Sequence, residues 1–195
     1  MPIRTVFGRL THRLRNPLTS GELRYASFWF SQLLMIGATV LGVYLASAEG
    51  MKVAIQFNEL TRMERNYYLR QSLANELEWN ASMVVEYAEE IQGGIPSQSY
   101  FQMNPLELDQ FVWQAMRESE ATLETPSGFL SAAQRFYREV PAMYQKLSNR
   151  SVGVSYGSKQ LLASAQTILE GTVPALRENV ATLKTELEHA GMELN

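Results

Sequence analysis

The sequence predicts an all-α chain: one N-terminal transmembrane helix followed by an extramembrane bundle of about four helices, two long and two short. Three observations predict it. Residues 26–48 (ASFWFSQLLMIGATVLGVYLASA) carry no charge over 23 positions, roughly 34 Å of helix at about 1.5 Å per residue, against a hydrocarbon core of roughly 30 Å. Apolar residues beyond it recur at steps of three and four, the helical period. The one stretch with strand-like alternation, 151–158 (SVGVSYGS), is short, isolated and broken by Gly153 and Gly157, and it reads as a loop.

The first 25 residues form a basic tail. Arg4, Arg9, Arg13, Arg15 and Arg24 face a single acid, Glu22, whereas residues 49–195 hold 12 Lys/Arg against 19 Asp/Glu. Cations close to a span stay on the cytoplasmic side, so the tail is expected in the cytoplasm and the 49–195 domain outside it. A bacterial inner membrane with the domain in the periplasm is the first address, an organellar inner membrane the second. Ile3, Val6, Phe7, Leu10 and Leu14 recur at helical spacing beside the arginines. That pattern suits an amphipathic helix lying on an anionic leaflet; the plainer alternative is that the arginines only set topology. Ala46-Ser47-Ala48 would serve as a signal cleavage site, but the apolar run exceeds the ~7–15 residues of a signal peptide. An uncleaved anchor is expected.

Within the span, Ser31, Ala38, Gly42 and Ala46 fall on one stripe, with Gln32 and Thr39 on a polar line beside it. Small residues in a row let a second helix approach closely in lipid, and a glutamine in hydrocarbon seeks a partner. The expectation is packing against another membrane protein or a second copy. Tyr25, Phe28, Trp29 and Phe30 read as an inner aromatic belt and Tyr44 as part of an outer one.

After Gly50, residues 51–92 contain neither Pro nor Gly. Val53, Phe57, Leu60, Tyr67, Ala74, Leu77, Ala81, Val84, Ala88 and Ile91 fall on or near one seam, so a long amphipathic helix is expected, continuous with the span or nearly so. Gly93-Gly94-Ile95-Pro96 stops it, and 93–103 reads as a loop. Asn104-Pro105-Leu106-Glu107 has the features of a helix start, predicting a second helix to about Glu124. A third follows over 127–149, kinked at Pro141. The last begins near Ser158. Leu162, Ala165, Leu169, Val173, Leu176, Val180, Leu183, Leu187, Ala190 and Leu194 step close to a heptad, with a bend or restart at Gly171–Pro174 capped by Thr172. Helices of alternating direction would bury four such stripes.

The inventory for chemistry is thin. There is no cysteine, so disulfides, thiolate metal sites and cysteine catalysis are excluded. Of two histidines, His12 lies on the basic tail. Glu186 and His189 have the spacing of a di-iron half-site, but no second pair accompanies them. The acidic runs Glu86/Glu89/Glu90 and Glu118/Glu120 read as solvated faces, and no phosphate loop or nucleophile elbow occurs. No cofactor, metal or catalytic residue is expected, and an acidic domain does not suit nucleic acid. The aromatics Trp79, which falls off the seam, and Tyr100 and Phe101, in the expected loop, are candidates for partner contact.

The expectation is therefore a non-enzymatic accessory or scaffold subunit, held by its span against another membrane protein or itself and docking a partner with its helical domain. An anchored bundle also resembles the extracytoplasmic input domains of bacterial chemoreceptors and sensor kinases. That likeness implies ligand sensing, exercised here through a partner, because no second span or output domain follows. A homo-oligomeric coiled-coil tether built on 162–194 is the third reading.

Overall fold

The computed structural model describes residues 20–94, 96–192 and 194, with side chains from Tyr25 onward. Every regular element in it is helical. Contacts divide the chain into two units, one through Ile55 and one from Gln56.

Helix α1, Ser20–Gln92, runs through the apolar segment and the amphipathic one. Between Tyr25 and Leu45 every large apolar side chain is 54–74% exposed. One helix is thus long and apolar enough to cross a membrane, and it lies near the N-terminus. Val53 and Phe57, expected inward, are exposed as well. From Leu60 on, the apolar face becomes covered, and from Tyr67 to Ile91 the seam residues are buried.

Within the second unit the chain folds back along its own part of α1, from Gln56 on. Helix α2 (Gln98–Met103) occupies the expected loop, its N-terminus capped by Ser97, whose hydroxyl accepts from Tyr100 N at 3.1 Å. Helices α3 (Phe111–Arg117) and α4 (Ala121–Glu124) follow in place of one helix over 104–124. Asn104 does not start a helix. It closes α2, with its backbone and side-chain N–H groups both donating to the Tyr100 carbonyl (2.9 and 3.0 Å). Helix α5, Ser127–Ser148, runs through Pro141 and buries Ala133, Phe136, Tyr137, Val140 and Leu147. It ends in a left-handed residue, Arg150 (φ 59°), with Ser151 N on Lys146 O and Arg150 N on Leu147 O, the paired bonds of a Schellman turn.

Helix α6 (Val154–Gln166) starts inside the stretch expected to be a loop. Tyr156 and Gly157 N–H groups turn back onto the Gly153 carbonyl, and Gly157 packs against Leu147 of α5. Instead of a restart at Gly171–Pro174, the chain passes through a wider π turn, Thr167–Thr172, directly into helix α7, Val173–His189. Pro174 cannot donate to the Glu170 carbonyl and its ring crowds it; widening the preceding turn relieves both. The Thr172 side chain makes no cap bond. Gly191 (φ 85°) closes α7 in a second Schellman turn, with Met192 N on Leu187 O.

The main core joins α1 from Leu73 to Ile91 with Phe101, Leu106, Trp113, α5, α6 and the start of α7. A smaller one joins Tyr67 to Val180 and Leu187, with Leu60, Met63, Leu183, Met192 and Leu194 around it. The terminal heptad is therefore used within the chain, against α1.

Candidate functional site

The most ordered chemistry in the domain is a polar ladder on α1 that reading the apolar seam alone misses. Positions 66, 70, 73, 77, 80, 84, 87 and 91 step by four and three and are all buried, and three of them are polar: Asn66, Arg70 and Asn80. Glu76, beside Leu77, is buried too, at 9% exposure. A buried polar group needs partners, and each of these finds at least one on the returning segment 104–125, although the buried Asn66 Oδ1 accepts no hydrogen bond among the described residues.

The rungs descend as that segment runs antiparallel to α1. Tyr87 Oη donates to the Asn104 carbonyl at 3.3 Å. Asn80 binds Asp109 at both backbone groups, Nδ2 donating to its carbonyl (2.7 Å) and Oδ1 accepting from its N–H (2.9 Å). The Glu76 carboxylate accepts from Val112 N at 2.6 Å and Trp113 N at 3.0 Å. Arg70 donates to the Glu124 carbonyl (2.6 Å), to Thr125 Oγ1 (3.3 Å) and to Asn179 Oδ1 of α7 (2.8 Å). Glu124 in turn accepts from Arg62 and Asn66. Arg177 reaches Glu78, adding a second tie between α7 and α1.

This ladder explains why the second predicted helix breaks. The N-cap of α3, Gln110, makes no side-chain cap bond. Its first N–H groups are instead satisfied from across the fold by Glu76, a carboxylate at the positive end of a helix. Capping by tertiary contact moves the helix start from residue 105 to 111.

Tyr137 of α5 locks the centre. Its hydroxyl donates to Glu76 Oε1 (2.8 Å) and accepts from Asn80 Nδ2 (3.1 Å), and its ring stacks on Trp113 at 5.8 Å and 23°. Burial first, then the bond to Glu76 and that residue's charge, hold its proton far above the usual tyrosine range, with the Asn80 bond opposing them. Burial likewise raises Tyr87, helped by Tyr144, Tyr100 and Glu90. Desolvation lowers Arg70, which has no carboxylate in ion-pair range among the described residues.

Beside the ladder lies a groove of about 930 Å³, open to solvent, lined by Glu76 and Trp79 of α1, by Leu108, Asp109 and Gln110, and by Phe111 and Gln114 of α3. Trp79 is 66% and Phe111 84% exposed.

The residues singled out by sequence fall as follows. Ser31, Gln32, Ala38, Thr39, Gly42 and Ala46 are all exposed along α1. A Cβ at Gly42 would meet nothing within 4 Å. Thr39 Oγ1 donates to the Met35 carbonyl one turn back (2.8 Å), so its hydroxyl is already satisfied. Arg4, Arg9, Arg13 and Arg15, and with them the amphipathic tail, lie outside the described residues, as does the Arg24 side chain. Trp79 is exposed as expected. Phe101 is not a loop contact: it is 2% exposed in the main core, and the Tyr144 hydroxyl donates to its carbonyl at 2.6 Å. Tyr100 is half-buried beside it. Glu186 and His189 are exposed near the end of α7, and no other candidate metal ligand gathers with them among the described residues. Phe111 was missed because a helix starting at 105 gives no reason to single it out.

No protein-family model, curated protein or solved structure matches the chain.

Proposed function

We propose that the chain is a non-enzymatic accessory or scaffold subunit. It is anchored by the 26–48 segment, packs through the Ser31/Ala38/Gly42/Ala46 face on another membrane protein, and docks a partner with its helical domain. The basic tail is cytoplasmic and the domain extracytoplasmic in this reading, which the excess of arginine before the span supports. The observation that carries the proposal is the uncovered apolar helix, whose row of small residues leaves backbone open to close approach by a second helix.

The ladder supports the non-enzymatic part. The buried Glu76 carboxylate, Arg70 guanidinium and Asn80 carboxamide are engaged in holding the backbone of 109–124 in place, a structural use of these groups. The coiled-coil tether draws no support, because Val173, Leu176, Val180 and Leu187 are already buried by this chain.

Copurification tests the proposal. The full chain extracted in mild detergent should bring down a second membrane protein, and Gly42→Leu, which fills the close-approach face, should release it. Recovery of a lone monomer, indifferent to Gly42→Leu, would refute the proposal.

A further inference from the structure

The groove between α1 and α3 has three properties that together select an occupant. Its aromatic walls are unpaid surface: Trp79 and Phe111 stand mostly in water, although each would bury about 150–250 Å² in a complex. The two ionisable side chains that line it, Glu76 and Asp109, are both acidic, and among the described residues no Lys, Arg or His joins them. Among the described residues neither carboxylate has a cation within ion-pair range. The partners of Glu76 are two backbone N–H groups and a neutral tyrosine hydroxyl, so its charge is hydrogen-bonded but not neutralised.

The groove is also preformed. Asn80 and Glu76 fix residues 109, 112 and 113 through four hydrogen bonds, and Trp113 is held by Tyr137. Binding to such a surface forfeits little ordering entropy on this side. Its volume would admit several residues, while its openness suits a stretch of chain better than an enclosed small molecule.

We infer that this groove receives a basic segment of a partner protein, seating an arginine or lysine over Trp79 and against Glu76 and Asp109, with an apolar neighbour against Phe111 and Leu108. A cation stacked on indole and flanked by carboxylates gains both the ring quadrupole and the unneutralised charge. Tryptophan and arginine are both enriched among the few residues that carry most of an interface's binding energy. The inference deepens the docking role proposed for the helical domain and rests on that reading for the existence of a partner.

The test uses the full chain in zwitterionic nanodiscs as bait for a phage-displayed library of random dodecapeptides. Enriched sequences should carry arginine or lysine beside an apolar residue. A synthetic peptide of the leading sequence should bind the Trp79→Ala and Phe111→Ser variants at least about tenfold more weakly, and Asp109→Asn several-fold more weakly. All three substitutions are at exposed side chains, and unchanged far-ultraviolet circular dichroism and melting will show that the fold is intact. Enrichment of peptides without an excess of basic residues, binding indifferent to Trp79 and Phe111, or no enrichment at all would each overturn the inference. So would a dimer of the full chain that Trp79→Ala dissolves, because a second copy would then fill the groove. If the groove fails while a membrane protein still copurifies in a Gly42-dependent way, the accessory reading stands without it; if copurification fails too, both fall.

Discussion

Replacing Glu76 asks whether the broken segment 104–125 is held by side chains of α1 or by its own packing. Glu76→Ala removes an acceptor bonded at 2.6, 3.0 and 2.8 Å to Val112 N, Trp113 N and Tyr137 Oη. Hydrogen bonds to a charged group contribute about 1.5–3 kcal/mol each, and an orphaned buried donor costs about 1–3 kcal/mol. The terms do not add in full. Tyr137 keeps its bond from Asn80, Val112 is only half-buried, and removing a desolvated carboxylate returns part of its burial cost. A net loss of about 3–4 kcal/mol follows, on the order of 10 °C in Tm for a domain of this size. Glu76→Gln keeps one carbonyl for Trp113 N and Tyr137 but turns an amide N–H toward that of Val112, so about 1–2 kcal/mol is expected. Urea unfolding of the full chain in detergent, followed by circular dichroism and tryptophan fluorescence, measures both. Glu76→Ala within about 0.5 kcal/mol of the parent, the ordinary range for surface changes, would refute tertiary capping of α3. So would a Gln variant as damaged as the Ala one.

Three further outcomes follow from the same geometry. A Cβ on Gly157 would sit 2.4 and 2.6 Å from Leu147 Cδ2 and Cγ, in a buried side chain, so Gly157→Ala should destabilise by about 1–3 kcal/mol. Gly171→Ala, with nothing within 4 Å, should be neutral or gain up to about 1 kcal/mol, and paired thermal melts compare the two. Arg70→Lys should recover less than half of what Arg70→Ala loses, about 3 kcal/mol, because a single ammonium cannot reach Glu124 O, Thr125 and Asn179 together; urea titration of both decides it. Finally, the raised Tyr137 and Tyr87 hydroxyls bind their protons more tightly folded than unfolded. Their contribution is whole below the ordinary tyrosine pKa of about 10 and is lost as pH climbs above it. Alkaline unfolding should steepen by about 1.4 kcal/mol per pH unit for each such group, and Tyr137→Phe should remove one share of that slope.

The chain's sequence carries much of this in periodicity. The step of three and four marks the buried face of α1 from Tyr67 to Ile91 and the α5 face from Ala133 to Leu147. It says nothing about reach. Val53 and Phe57 continue the seam but stay exposed, because whether an apolar stripe is covered depends on where the other helices end. The polar ladder was not legible from the apolar seam, because Asn66, Arg70 and Asn80 lie beside the residues that mark it, on the edge of the same buried face. Its partners were not visible, because they lie far off in sequence and many are backbone groups, from Asp109 opposite Asn80 to Glu124 opposite Arg70.

Composition and periodicity alone determine the all-α class, the uncharged N-terminal helix able to cross a membrane and the acidic remainder, because each is a sum or a repeat over local residues. The positions of the helix breaks were decided only by tertiary structure. Asn104-Pro105 has every local feature of a helix start, yet the helix begins at Phe111, where Glu76 and Asn80 supply hydrogen bonds that no neighbouring residue offers. The same contacts leave Phe111 standing beside Trp79, so the groove is a product of folding that no local pattern encodes.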